Sequence, residues 1–366
     1  MNQIYNFNAG PSALPKTALE RAQSELINFQ KTGMSVMEIS HRSKPYEEVH
    51  YQAIQLLKEL LQIPDQYEVL FLQGGASLQF TMLAMNLLEE EKVGNYLLTG
   101  SWSEKAYKEA SLIGKTKIVA SSKEEGYRSI PTIPSFATNE KDAYFHITSN
   151  NTIYGTQYQQ FPTITHAPLI ADMSSDILSK PIDITKFGLI YAGAQKNLGP
   201  SGVTVVIIKK DILQKDVSKI PTILQYQTHI QASSLYNTPP TFSIYMLNQV
   251  LTWVKECGGT SSIAQRNEEK AQIIYEVIDE SDGFYLGHAT NDSRSLMNIT
   301  FNLQTEELNK QFLQVAEEQG FIGLQGHRSV GGCRASIYNA VPLEACIALR
   351  DLMIRFKKEA RTSTSL

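Results

Sequence analysis

Cysteine is scarce in this 366-residue chain: Cys257, Cys333 and Cys346 are the only three, an odd number with no C-x-x-C spacing. That pattern excludes a disulfide framework and a cysteine-built zinc site, and it fits free thiols in a reducing compartment. An excess of positive charge is missing as well. Against 33 lysines and arginines stand 37 acidic residues, for a formal net charge of -4. A general nucleic-acid binder, whose affinity comes from a basic surface, is therefore not expected. A small anionic ligand needs only local positive charge and stays open. No apolar run approaches the roughly 20 residues of a membrane helix. Residues 1–8 carry no basic region followed by an apolar stretch, so no signal peptide is expected. The expectations are a cytoplasmic location, no membrane or nucleic-acid partner, and no metal. What remains is ordinary for an enzyme-sized globular protein: 42% hydrophobic and 19% charged residues, in a chain long enough for two domains.

Short apolar runs alternate with helical patterns through the first two thirds. Val49, Ala53, Leu56, Leu57 and Leu60 recur at helical spacing after Pro45. Residues 68–72 read as a buried strand that leads through Gly74-Gly75-Ala76-Ser77 into a helix over 78–88. Further strands are expected over 96–98, 117–119, 143–147, 168–171, 188–191 and 203–208. Such a series implies an α/β fold with a mainly parallel sheet covered on both faces, whose ligands collect at the C-terminal strand ends. The texture changes near residue 255. After the break at Cys257-Gly258-Gly259 come a polar helix over about 261–280, a strand over 296–301 and a helix over 306–319. A strand over 334–338 follows, then a last helix after Pro342 that turns Cys346, Leu349, Met353 and Phe356 inward. The expected division is a large domain over 16–255 and a small α+β domain over 256–366, joined by the segment 1–15. There is no internal repeat, and the Ser/Thr tail over 362–365 is the one low-complexity tract.

Asp172 ends the apolar run 168–171, which puts its carboxylate at a strand's C-terminal end. Lys196 follows the strand 188–191 through Ala192-Gly193-Ala194-Gln195 and precedes Asn197-Leu198-Gly199-Pro200-Ser201-Gly202. A lysine between two strands and bounded by glycines stands where backbone can approach a ligand closely. Pyridoxal phosphate needs both groups: an amine for the Schiff base, and a carboxylate that keeps the pyridine nitrogen protonated so the ring accepts electrons. The same pair also fits a solvated lysine and a helix-capping aspartate. Gly74-Gly75-Ala76-Ser77 can form a phosphate cup from backbone N–H groups at a helix start. It matches neither the dinucleotide nor the P-loop pattern, and glycine turns also start helices that bind nothing. Trp102, one of two tryptophans, suits stacking on a planar ring or plain burial in a core. His41-Arg42 and His327-Arg328 are two His-Arg pairs, with Arg334 shortly after the second. The guanidinium fork matches carboxylate and phosphate, although any one arginine also reads as surface charge.

Asn8-Ala9-Gly10-Pro11-Ser12, Ser40-His41-Arg42-Ser43, Gly74-Gly75-Ala76-Ser77, Trp102 and Asn150-Asn151-Thr152-Ile153-Tyr154-Gly155 stand in order along the chain. Asp172-Met173-Ser174-Ser175, Gly193-Ala194-Gln195-Lys196-Asn197, Tyr236-Asn237-Thr238-Pro239-Pro240 and Gly331-Gly332-Cys333-Arg334-Ala335-Ser336 continue the series. Together they resemble the phosphoserine aminotransferase family, within class V of the fold-type I pyridoxal-phosphate-dependent enzymes, over nearly the whole length. The resemblance implies a large domain with a mainly parallel seven-stranded sheet plus a small C-terminal α+β domain. It makes Lys196 the Schiff-base residue and Asp172 the partner of the pyridine nitrogen. Trp102 would stack on the ring, Thr152 and Gln195 would contact ring substituents or phosphate, and Ala76 and Ser77 would supply the cup. Asn237 and Thr238 would reach the cofactor phosphate of a neighbouring subunit, giving a homodimer with composite sites. Arg334 would clamp the α-carboxylate, with His41, Arg42, His327 and Arg328 gathering the distal anion. The implied substrates are L-glutamate and 3-phosphohydroxypyruvate, interconverted with 2-oxoglutarate and phosphoserine by a ping-pong cycle; the related phosphohydroxythreonine step of vitamin B6 biosynthesis is also compatible. One departure stands out: some family members carry arginine where this chain has Ser77, so that charge must come from elsewhere.

Three other readings leave residues unused. A cysteine desulfurase needs a reactive thiol on a mobile loop, for which Cys333 is the remaining candidate. An alanine–glyoxylate aminotransferase is a second class V alternative. A non-catalytic nucleotide-binding α/β protein leaves Lys196, Asp172 and the arginines without a role.

Overall fold

Strands form where β-branched and aromatic residues run together, and helices where apolar positions return every three or four residues. The computed structural model describes residues 3–132 and 139–363, so the end of the Ser/Thr tail lies outside the described residues. Its strands in chain order begin with β1 (Tyr5–Asn6), β2 (Tyr67–Leu72), β3 (Val93–Leu98), β4 (Thr116–Ser121) and β5 (Asp142–Thr148). Next come β6 (Asn150–Asn151), β7 (Thr156–Gln157), β8 (Leu169–Asp172), β9 (Leu189–Gly193) and β10 (Thr204–Lys209). The last four are β11 (Tyr285–Gly287), β12 (Asn298–Leu303), β13 (Phe321–Ile322) and β14 (Cys333–Ser336). The helices are α1 (Lys16–Glu25), α2 (Lys44–Leu61), α3 (Gly75–Leu87), α4 (Ser101–Ser111) and α5 (Tyr226–Gln231), then α6 (Thr241–Glu256), α7 (Gly259–Asp279), α8 (Glu306–Glu318) and α9 (Leu343–Ser363).

Seven strands form the central sheet in the order β2-β10-β9-β8-β5-β3-β4. Strand β10 runs antiparallel to both neighbours; the other pairings are parallel. The mainly parallel seven-stranded sheet is therefore as expected. Its period-two alternation sorts side chains onto two buried faces. Val205 and Ile207 pack with Leu56 and Leu57 of α2 and Leu247 and Leu251 of α6. Val206 and Ile208 pack on the opposite side with Phe80 and Leu83 of α3 and Ala106 of α4.

A separate apolar cluster lies toward the C-terminus, where Ile274, Phe301, Phe312, Leu349 and Met353 meet. There β11, β12 and β14 form an antiparallel sheet covered by α7, α8 and α9. Strand β1 pairs in parallel with β13, and Phe7 joins the same cluster. Strand β12 starts two residues later than the apolar pattern implies. The cause is local: Ser295 Oγ accepts from the N–H groups of Met297 and Asn298 at 3.0 and 2.9 Å, a turn that delays the ladder. Helix α6 has no clear apolar stripe, because Ile244, Tyr245, Met246 and Leu247 are buried in succession. Among the described residues no helix is long and apolar enough to cross a membrane.

Candidate active site

The strand ends β5, β8 and β9 lie side by side, with Asp172 opposite Thr148 and Tyr191. The turn after β9 carries Lys196. Ala194 N–H donates to the Val203 carbonyl at 3.0 Å and Leu198 N–H to the Ala194 carbonyl at 3.1 Å, while Gly193 N–H donates to Ser174 Oγ at 3.1 Å. The N-terminal segment clamps this turn from outside. Ser12 N–H donates to the Gln195 carbonyl at 3.0 Å and Ser12 Oγ to the Lys196 carbonyl at 2.7 Å. A side chain at Gly10 would meet Lys196 Cγ at 3.4 Å, so the glycine permits the close approach.

These elements enclose a cavity of about 330 Å³. Lys196, Asp172, Thr152, Gln195, Ala76, Ser77, Trp102, His327 and Arg334 all line it. Nine of the sequence-predicted residues thus converge. Five do not join them within this chain. Arg328 is exposed beside His327, and His41 and Arg42 lie in the turn before α2. Asn237 donates from Nδ2 to Gln73 Oε1 at 3.1 Å and lines a different cavity, of about 220 Å³, with Phe71 and Leu78. Thr238 is exposed next to it.

Burial governs the electrostatics. It pushes the Lys196 amine down to about 8, with Arg334 adding to the push and Asp172 opposing it. Lys196 Nζ donates to Thr152 Oγ1 at 2.7 Å. Burial raises the Asp172 carboxyl, while Ser174 and Lys196 hold it back; the Ser174 N–H donates to Asp172 Oδ1 at 2.9 Å. A buried carboxyl pushed upward is stabilised as an anion by a cation beside it, and a protonated ring nitrogen is such a cation. Gly74, φ 85°, is the N-cap of helix α3 and gives it no side-chain cap. The helix's first residues, Gly75, Ala76 and Ser77, line the cavity, and a helix N-terminus favours a phosphate. Trp102 Nε1 and Arg334 Nε are buried without a partner among the described residues. Arg334 is anchored by Nη1 donating to the Thr152 carbonyl at 3.2 Å. An amine, a carboxyl at a strand end, an aromatic wall and an uncapped helix start together fit pyridoxal phosphate.

His327 is oriented by its own loop. Its Nδ1 accepts from Ser329 N–H at 3.2 Å, which leaves Nε2 to carry the hydrogen in the neutral ring. Burial pushes its pKa down, followed by the charges of Arg334, Arg328 and Lys105. Sequence reasoning missed Lys105. Its ammonium lies 4.3 Å from the Trp102 ring centroid, and the i, i+3 spacing on α4 was the available signal. Asn150, Ser174 and Ser175 also line the cavity and were missed as individual site residues. Cys333 and Cys346 are buried, with thiols that burial holds protonated. No cysteine lines the cavity among the described residues, so the desulfurase reading lacks its thiol.

Comparison with known proteins places the chain in a family. Residues 4–347 match the class-V aminotransferase family, and the chain belongs to it. Among its relatives, the phosphoserine aminotransferase of Alkalihalobacillus alcalophilus is 71% identical over 98% of this chain and 100% of that protein. A solved phosphoserine aminotransferase recording radiation damage of its Schiff base is 71% identical, with a TM-score of 0.96 over 98% of this chain and 99% of that one. The pyridoxal-phosphate-bound phosphoserine aminotransferase of Trichomonas vaginalis is 39% identical, with a TM-score of 0.90 over 96% and 99% of the two chains.

Proposed function

We propose that this chain transfers the amino group between L-glutamate and 3-phosphohydroxypyruvate, with pyridoxal phosphate as cofactor, to give O-phosphoserine and 2-oxoglutarate. The observation that carries the reading is the convergence of Lys196, Asp172 and Arg334 in one cavity beside an uncapped helix start. When bound, the cofactor supplies an aldehyde for amine exchange and a protonated ring that accepts the electrons left when the substrate's Cα proton departs.

The chain's own residues do the rest. Lys196 Nζ takes the Cα proton, because burial favours its neutral form near pH 8. Thr152 Oγ1 keeps that amine in place. Asp172 would hold a positive ring nitrogen by charge, and Trp102 would cover the ring. The N–H groups of Ala76 and Ser77 would hold the phosphate, and Gln195 would contact the phosphate or a ring substituent. Arg334 uses its free N–H groups on the substrate α-carboxylate. His327 offers Nε2–H to the distal carboxylate or phosphate, with Arg328 and Lys105 adding positive charge behind it.

The working unit in this reading is a homodimer. His41, Arg42, Asn237 and Thr238 reach the site of the second copy, consistent with their position outside their own chain's cavity. The segments that bear them expose Met34, Met37, Ile223 and Tyr236, apolar surface suited to a subunit contact. A large domain over 16–255 and a small one over 256–366, with 1–15 returning to the small one, complete the proposal, as does a cytoplasmic setting. A panel of oxo acids with glutamate as donor tests it. Efficient turnover of 3-phosphohydroxypyruvate with poor turnover of pyruvate and glyoxylate is expected; equal use of all three would reject the distal-anion assignment.

A further inference from the structure

One turn beyond Asp172, a second carboxyl, Asp176, is buried outside the cavity lining. Its Oδ2 accepts from Gln157 Nε2 at 3.0 Å, and its Oδ1 makes a short contact with Ser149 Oγ. Ser149 Oγ also lies 3.0 Å from the Asp172 carbonyl oxygen. Both Ser149 and Gln157 are fully buried.

The hydrogens can be counted. A hydroxyl has one hydrogen and a peptide carbonyl has none. If Asp176 is charged, the single Ser149 hydrogen goes to Asp176 Oδ1, the Asp172 carbonyl keeps only the Ser149 N–H at 3.0 Å, and its contact with Ser149 Oγ has no hydrogen. If Asp176 Oδ1 carries a hydrogen, the count closes: Oδ1–H donates to Ser149 Oγ, and Ser149 O–H donates to the Asp172 carbonyl. Gln157 fixes which oxygen is protonated. Its Oε1 accepts the Leu296 N–H at 3.0 Å, so Nε2 faces Asp176 and Oδ2 must be the acceptor.

The charges around Asp176 agree with that assignment. Burial raises its carboxyl and the Asp172 charge raises it further, against Lys180 and the Ser149 and Gln157 contacts. Lys180 is partly committed elsewhere, with Nζ donating to the Tyr158 carbonyl at 3.3 Å and lying over the Phe161 ring. Lys196 senses Asp176 from the turn after β9, but only behind Asp172.

We propose that Asp176 is a positioning residue that works as a neutral acid: its hydrogen completes the Ser149 bridge that fixes the Asp172 turn, and the cavity's negative charge stays on Asp172. The proposal rests on the reading that Asp172 faces the cofactor's ring nitrogen. In Asp176→Asn the amide places Nδ2–H where Oδ1–H stood and an oxygen where Oδ2 accepts, whereas Asp176→Ala breaks the bridge.

The test compares both variants with the wild-type holoenzyme. Asp176→Ala is expected to lower kcat by about three- to tenfold and to move the pH midpoint of the cofactor's visible absorption. Asp176→Asn is expected to rescue both. Infrared difference spectra should show a carboxylic-acid carbonyl stretch in wild type that disappears in Asp176→Asn, with or without cofactor. An asparagine variant as impaired as the alanine one, or no such band in wild type, would overturn the proposal. The infrared band does not depend on Asp172, so an Asp172→Asn variant of normal activity would remove the underlying reading while leaving the Asp176 result separate.

Discussion

Burial makes Lys196 a better nucleophile near neutral pH than a surface lysine. In cofactor-free protein its amine titrates at about 8, against 10.5 for an ordinary lysine. The unfolded chain binds that proton more tightly, so this residue's contribution to stability rises with pH between about 8 and 10.5. Capture of pyridoxal phosphate by the cofactor-free chain, trapped with borohydride and located by mass spectrometry, should accelerate as pH climbs through about 8; a midpoint near 10.5 would mean that the amine is not buried. At Asp172 the effect belongs to the transition state. Asp172→Asn should keep the Lys196 linkage but slow Cα proton removal by about 100- to 1,000-fold in single-turnover kinetics, and a near-normal rate would separate Asp172 from the ring nitrogen. Both residues were legible in the sequence, because a carboxylate closing an apolar strand and a lysine between glycines mark strand ends, where sites form. Asp176 was not. Its role is defined by Ser149, Gln157 and Leu296, partners that sequence spacing does not reveal.

Helix α3 shows how an element builds a site before any side chain is added. Gly74 has φ 85°, and a Cβ there would stand 2.6 Å from Leu78 Cβ. Gly74→Ala should therefore cost about 1–3 kcal/mol in a denaturation series, and it should weaken pyridoxal phosphate binding because the first N–H groups shift with the turn. Unchanged affinity in titration calorimetry would mean that the helix start is not the phosphate cup. The sheet was readable at this scale because most of its strands are short apolar runs bounded by turns or helices. Helix α6 was not readable. It packs on the sheet through Leu247 and Leu251 and toward Phe29 through Tyr245, so neighbours on two sides erase the stripe that marks a surface helix. The Asn8–Ser12 motif was visible as sequence, but its work, clamping the Lys196 turn through Ser12, exists only once the N-terminal segment has folded onto the turn after β9.

At the scale of the molecule, one chain gathers Lys196, Asp172, Trp102 and Arg334 in one cavity and leaves His41, Arg42, Asn237 and Thr238 elsewhere. Mixing a Lys196→Ala chain with an Asn237→Ala, Thr238→Ala chain tests whether they serve a second copy. Each should be poorly active alone. After subunit exchange, one of the two heterodimer sites regains intact partners and activity should partly return; demonstrated exchange with no recovery would end the composite-site proposal. The central claim, that this cavity moves an amino group through Lys196, has a more direct test. Protein is incubated with L-glutamate carrying a heavy-isotope amino nitrogen, together with 3-phosphohydroxypyruvate, and the products are read by mass spectrometry. Wild-type protein should place the label in phosphoserine, and Lys196→Ala should not. Label transfer by the Lys196→Ala chain, or none by wild-type protein loaded with cofactor, would contradict the account.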